Sequence, residues 1–311
     1  MLSIWKYLSG HLRRDFNALQ YGLIGIFLAA AIYFNYLTDF EDSFLDVQKG
    51  FLKFFFRLIF FSTAYFTTLI ITCLLKGESK IFTQASFWIK SILALSLLSL
   101  DSSVPFLQGW IDTMLSAQIQ YWAYRVSVNL ISFFTILLPL YIFFQLYERD
   151  ETHLYGLWAK NFDTRPYFQM ILIMLPILVA ASFHGSFLRA YPLYKSTMAH
   201  TFLGVPEWVT ILGYELAYGL DFITVEFLFR GFMVIGMMKV LGRNSILPMA
   251  ATYCFLHFGK PPGEAISSVI GGYILGVVAY ETKSIWGGVI VHLGVAWMME
   301  IIAFAQRSFS T

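Results

Sequence analysis

The sequence predicts an all-α protein, a polytopic transmembrane helical bundle of about nine spans, with eight to ten as the range. Three observations carry that expectation. The 311 residues are 58% hydrophobic and only 13% charged, whereas soluble domains are about a quarter charged. The mean hydropathy is +0.66. Apolar runs of roughly 20 residues, the length that crosses about 30 Å of hydrocarbon, recur along the whole chain.

Taken in order, the chain begins with a basic leader, Lys6, Arg13 and Arg14, ahead of its first apolar run. So long a charged leader, with more spans behind it, favours an uncleaved first helix. The alternative, a signal peptide, has only a faint small-residue site at Ala29 and Ala31. Runs follow at 18–37, 54–75, 87–107, 126–147 and 167–184. The stretch 207–240 is long for one helix and reads either as a single tilted helix or as two hinged near Gly219. The last runs cover 246–258, 264–280 and 285–305.

Basic residues mark the cytoplasmic side. The leader and the loop with Lys76 and Lys80 therefore fit inside, and the acidic loop with Asp39, Glu41, Asp42 and Asp46 fits outside. Glu148 to Arg165 holds both signs and reads as an inside surface helix or linker. A net charge of +2 is too small to suggest nucleic acid. Cys73 and Cys254 lie within apolar runs and read as packing residues.

The two halves of the chain differ in kind. The first spans carry ionisable groups only near their ends: Arg57, Lys90, Asp101 and Arg125. Snorkelling to the interface accounts for Arg57 and Lys90, and Asn129 reads as a helix–helix contact. Beyond residue 205 come Glu215, Asp221, Glu226, Arg230, His257, Lys260, Glu264, His292 and Glu300. Ionisable groups at membrane depth cost roughly 2.5–3.5 kcal/mol each and mark functional centres. No repeat relates the halves, which counts against an inverted-repeat transporter.

Three units carry the chemistry. Glu226 and Arg230, four residues apart, share a helix face in the favourable acid-before-base order; Glu215 lies three turns back on nearly the same face. Tyr253 precedes His257, where Gly and Pro residues break a short apolar helix, and an imidazole near neutral pKa can move a proton. Glu264 opens the following helix, either capping its positive end or standing at the rim of the site. Ser267, Gly271, Gly272 and Gly276 on that helix are small residues that permit close packing. The turn Thr282–Lys283–Ser284–Ile285–Trp286 leads into a helix projecting His292, and Glu300, over two turns later, is expected at the membrane surface.

In this order and spacing the units resemble the CAAX-protease and bacteriocin-processing (CPBP, or Abi) family of intramembrane peptidases. That family's motifs are Glu-Glu-x-x-x-Arg, Phe/Tyr-x-x-x-His and His-x-x-x-Asn/Asp, the last preceded by a Thr-x-Ser-Leu-Trp-like turn. Glu226 and Arg230 match the second Glu and the Arg. Tyr253 and His257 match the second motif, Thr282, Ser284 and Trp286 the turn, and His292 the third. The family's first Glu is Val225 here, and its Asn/Asp falls at Ala296.

The apolar runs give a four-span N-terminal membrane region (1–160), and the resemblance, which covers about residues 165–305, implies a CPBP-like core (161–311). The resemblance also implies a metal-independent intramembrane endopeptidase without a cofactor, acting on a membrane-associated protein or peptide. Glu226 is then the candidate base for water, oriented by Arg230, with His257 and His292 stabilising the oxyanion and shuttling protons. Tyr253, Glu264 and Glu215 are further candidates, the last two able to supply the acid missing at Val225. Two other readings remain at this point. One is a catalytically inactive relative that binds or scaffolds a partner. The other is a two-His, one-carboxylate zinc set of Glu226, His257 and His292, which lacks the HExxH spacing. Membrane lipid, a peptide substrate and a possible membrane-protein partner are the expected contacts, in a bacterial inner membrane.

Overall fold

A computed structural model describes residues 2–104, 107–149, 153–158 and 163–309, and among them it is all helix, with no strand. An amphipathic α1 (Leu2–Asp15) precedes α2 (Ala18–Thr38). The Asn17 side chain caps α2 by accepting from the Gln20 amide at 3.1 Å, which satisfies one of the amides a helix start leaves open. Then come α3 (Gly50–Lys76), α4 (Ala85–Asp101) and α5 (Leu107–Met114). Next, α6 (Ala117–Ser132) runs through a π-helical stretch (Phe133–Leu137) into α7 (Leu138–Tyr147).

The C-terminal half comprises α8 (Arg165–Ser182), the short α9 (Gly185–Ala190) and α10 (Ala199–Leu203), and α11 (Glu207–Glu226). A wide π-helical segment (Phe227–Gly236) follows, then α12 (Met238–Leu241), α13 (Ile246–Leu256), α14 (Pro262–Thr282) and α15 (Trp286–Phe309).

Each apolar run of the sequence finds a helix. Among the described residues six stretches are long and apolar enough to cross a bilayer: α2, α3, 117–147, α8, α14 and α15. The chain is an integral membrane protein in contact with lipid. The expected nine spans are not all matched by length. At 11 residues, α13 reaches only about 16 Å, half of a bilayer. It is apolar on every side, so it is buried rather than exposed to lipid, packed among α3, α14 and the π-helical segment. Gly272 and Gly276 of α14 allow this approach: a Cβ on Gly272 would lie 3.1 Å from the Tyr253 ring, and one on Gly276 2.6 Å from Met249. Gly271 meets nothing within 4 Å and Ser267 is exposed, so the expected small-residue stripe reduces to one edge.

The helix of 207–240 has no hinge at Gly219. That glycine lies inside α11 against Trp297, and the change of winding falls at Glu226–Phe227, where α11 turns into the π-helical segment. Cys73 and Cys254 are free and buried, as packing residues.

Arg57 and Lys90 do not snorkel. Arg57 is buried and bonds Glu41 and Asp46, each at 2.5 Å. These acids lie on the loop outside the spans. Burial drives the Glu41 carboxyl above its ordinary value, against the pull of Arg57. At Asp46 burial pushes the same way, but Arg57 and Lys53 outweigh it and hold that carboxyl below its usual range. Lys90 donates to the Gly236 carbonyl at 2.6 Å and pairs with Glu148. Removing one member of a buried pair leaves the other uncompensated. Lys90→Met is therefore expected to lower stability by about 3 kcal/mol, read as an earlier denaturation midpoint in detergent. The exposed Arg14→Met should shift it by less than about 0.5 kcal/mol.

Of the expected surface helix or linker 148–165, residues 150–152 and 159–162 lie outside the described residues. Arg149, His153, Trp158 and Asp163 to Arg165 are exposed as expected, but the middle of the segment is not. Leu154, Tyr155 and Gly156 are buried, and the Tyr155 ring packs on Phe144, Phe227 and Phe232. The Gly156 and Leu157 carbonyls accept from the Ile285 amide and the Trp286 indole, at 3.2 and 2.8 Å. The segment is a plug that fixes the start of α15 and, through it, His292.

Candidate active site

Glu226 closes α11 at the point where the winding widens, and Arg230 sits one turn on within the π-helical segment. Such wide turns are frequent at functional sites. Both side chains are 0% exposed, with Arg230 Nη1 donating to Glu226 Oε1 at 2.8 Å. The Arg230 guanidinium also stacks over the Tyr253 ring, 4.2 Å from its centroid. Because α13 enters the bundle here, Tyr253 and His257 face the same pair, and α15 brings in His292 from the other side.

The contacts form a relay. His292 Nδ1 lies 3.1 Å from Glu226 Oε1, and His292 Nε2 lies 3.1 Å from the Tyr253 hydroxyl. A carboxylate paired with a guanidinium only accepts, so His292 Nδ1 carries the proton and Nε2 accepts from Tyr253. His257 Nδ1 lies 2.9 Å from the Tyr253 carbonyl. A carbonyl too only accepts, which assigns the Nδ1–H tautomer to His257 as well and leaves its Nε2 as a bare acceptor. The imidazoles bracket Tyr253, at ring-centroid separations of 4.5 Å (His257) and 5.9 Å (His292). Phe222 packs against His292 at 4.2 Å and walls the site.

Glu226, Arg230, Tyr253, His257 and His292 therefore come together. Glu215 and Glu264 do not join the relay by hydrogen bonds. Glu264 accepts from the Tyr191 hydroxyl at 2.9 Å. Both Glu215 carboxylate oxygens are buried without a hydrogen-bond partner among the described residues. Glu300 is not at the membrane surface: it is buried, and its carboxylate accepts the Leu193 amide at 2.9 and 3.0 Å. Val225 packs into the main core and Ala296 is buried. Asn129 turns back on its own helix, donating to the Arg125 carbonyl at 3.0 Å.

The geometry changes the part Glu226 can play. Glu226 has no exposed surface, and of its two hydrogen-bond partners among the described residues Arg230 is fully buried and His292 is 17% exposed. For zinc, the three side chains would have to present one atom each to a common point. Among the described residues, the group of candidate ligands drawn within 4.8 Å of one another is Glu41, Asp42 and Asp46 instead, and Arg57 and Lys53 already pair with it.

Sequence reasoning missed two features: Tyr253 as the link between both imidazoles, and Gly288, which lets α15 approach. An added Cβ at 288 would fall on the Glu226 carboxylate, 2.7 Å from its Cδ. The Gly-Gly pair after Trp286 was the available signal.

Comparison with known proteins adds one positive result. Residues 206–298 match the family described as type II CAAX prenyl endopeptidase Rce1-like. The resemblance read from the motifs is thereby shown for this segment, which contains Glu226, Arg230, Tyr253, His257 and His292. No curated protein and no solved structure matches the chain.

Proposed function

We propose that the chain is a metal-independent intramembrane endopeptidase in which Glu226 activates water through His292. The observation that carries this is the Glu226–His292 contact of 3.1 Å inside a segment that matches a peptidase family. The carboxylate holds the imidazole as its Nδ1–H tautomer and stabilises the imidazolium that forms when Nε2 takes a proton from water. The hydroxide formed adds to the peptide carbonyl carbon. The Tyr253 hydroxyl, released from Nε2, donates to the oxyanion. His257 Nε2 accepts the second water hydrogen and so aims the nucleophile. Collapse breaks the C–N bond, and the His292 imidazolium returns its proton to the leaving nitrogen.

On this reading 161–311 is the peptidase core and 1–160 its support, in a bacterial inner membrane with the basic leader on the cytoplasmic side. The substrate is a membrane-associated protein or peptide. A prenylated C-terminal CAAX peptide, the substrate class in the matched family's description, is the first reporter to use. The family match and the closed relay favour cutting over the binding-only alternative. Cleavage in isolated membranes is expected to fall about 100-fold or more in His292→Ala and Glu226→Gln, the share a positioned acid–base group contributes. His257→Ala should fall by at least tenfold on the same basis. Undiminished cutting by all three variants rules the site out.

A further inference from the structure

The loop that carries His257 is held by a part of the chain outside the matched segment. Residues 257–260 leave α13 as an irregular turn before Pro261; the His257 carbonyl accepts the Lys260 amide within the turn at 3.0 Å, and the Phe258 and Lys260 carbonyls need donors from elsewhere. The C-terminal end of α2 supplies the missing donors. Asn35 Nδ2 donates to the Phe258 carbonyl at 3.1 Å, and the Tyr36 hydroxyl donates to the Lys260 carbonyl at 2.7 Å, with the His257 carbonyl 3.5 Å away. Asn35 is itself fixed, because its Oδ1 accepts the Glu41 amide at 3.0 Å. The Glu41 carboxylate, held by Arg57, lies against Gly259 so closely that a Cβ there would stand 2.5 Å from Oε2. Beneath the turn, Phe60 packs on Phe255 and Phe258, with ring centroids 4.8 and 5.7 Å away. Asn35, Glu41 and Arg57 are all buried. A buried amide that satisfies a loop on one side and a helix end on the other is a device for holding one conformation.

We propose that Asn35, Tyr36 and the Glu41–Arg57 pair are positioning residues that fix the His257 imidazole in the site. The inference rests on the peptidase reading for its effect on rate, but not for its effect on the loop. His257 is anchored by Nδ1 on the Tyr253 carbonyl and by its ring on Tyr253, so a shift of the 257–260 backbone strains both anchors and changes how its bare Nε2 is presented. A displacement of about 1 Å at a reacting group is enough to lower a rate about 100-fold.

The test uses the full chain in detergent or nanodiscs with two variants chosen to spare the fold. Tyr36→Phe removes one hydroxyl. Asn35→Asp keeps the acceptor for the Glu41 amide and, assayed above the pH at which the new carboxyl binds a proton, loses the donor to Phe258. Amide hydrogen exchange across 257–260 is expected to quicken about tenfold in both, with α8 unchanged, because local opening is set by local contacts. With a prenylated CAAX peptide as reporter, kcat should drop about tenfold while KM stays within about twofold, the pattern of an interaction lost in the transition state. Unchanged exchange at 257–260 overturns the clamp whatever the cutting does. Faster exchange with undiminished kcat overturns its positioning role. A wild type that cuts no reporter counts against the peptidase reading alone, and exchange then decides the clamp.

Discussion

Glu226→Ala is expected to lower stability by about 3–5 kcal/mol, the cost of stranding one member of a fully buried ion pair. The partner left behind is Arg230, 0% exposed, with Nε and Nη2 already without hydrogen-bond partners among the described residues. A guanidinium cannot escape by losing its proton. Its stacking on Tyr253 is worth about 2 kcal/mol at a desolvated site, which offsets only part of that cost. The informative comparison is the double variant Glu226→Met with Arg230→Met. A well-packed apolar replacement of both partners is often neutral or stabilising, so this protein should melt near the wild type and yet cut nothing. That outcome would separate chemistry from architecture: the pair is expensive to keep, and on the proposed reading its use is the charge it aims at His292. Thermal denaturation of the variants in the same detergent, with the CAAX reporter assay beside it, reads both quantities. A Glu226→Ala protein that melts with the wild type would remove the buried pair from the argument. A double variant that still cuts would remove Glu226 from the chemistry.

The parts of this molecule that could be read from sequence are those carried by local pattern. Apolar runs gave the helices because burial in lipid demands hydrogen bonds satisfied within each segment. The spacings Glu226–Arg230 and Tyr253–His257 gave half of the relay because residues four apart share a helix face. What stayed hidden depends on distant pairing. Lys90 at the end of an apolar run is the same string of letters whether it snorkels or, as here, bonds Gly236 and Glu148. Glu300 looks like an interfacial acid until a loop amide from Leu193 arrives. Asn35 is a lone polar residue in an apolar helix, and nothing beside it names Phe258 as its partner. The shift of winding at Phe227 was likewise invisible, since a π-helical stretch of Phe, Leu, Met and Val has the same composition as an α-helical one. That shift matters to the site, because it sets the direction in which Arg230 returns to Glu226.

Gly288→Ala should be the most damaging single methyl group in the chain. Gly288 lies in the first turn of α15, and its Cα rests against the Glu226 carboxylate. An added Cβ would overlap Oε2 outright and stand 2.7 Å from Cδ and 3.4 Å from Oε1. The carboxylate cannot retreat without leaving Arg230 Nη1 or His292 Nδ1, both of which it holds through Oε1. The helix cannot retreat either, because Gly287 beside it is pressed on the Tyr167 ring and Trp286 is tied to Leu157. Overpacking of this kind costs about 1–3 kcal/mol. Its effect on cutting should be larger, about 100-fold or more, because on the proposed reading the group displaced is the one that orients the base. The control is Gly271→Ala on α14, where nothing lies within 4 Å of the new Cβ. There the better helix propensity of Ala should stabilise by about 0.5–1 kcal/mol and leave hydrolysis unchanged. A Gly288→Ala protein with wild-type cutting and melting would mean that α15 does not seat His292 against Glu226 in the membrane, and the relay drawn from these contacts would fall with it.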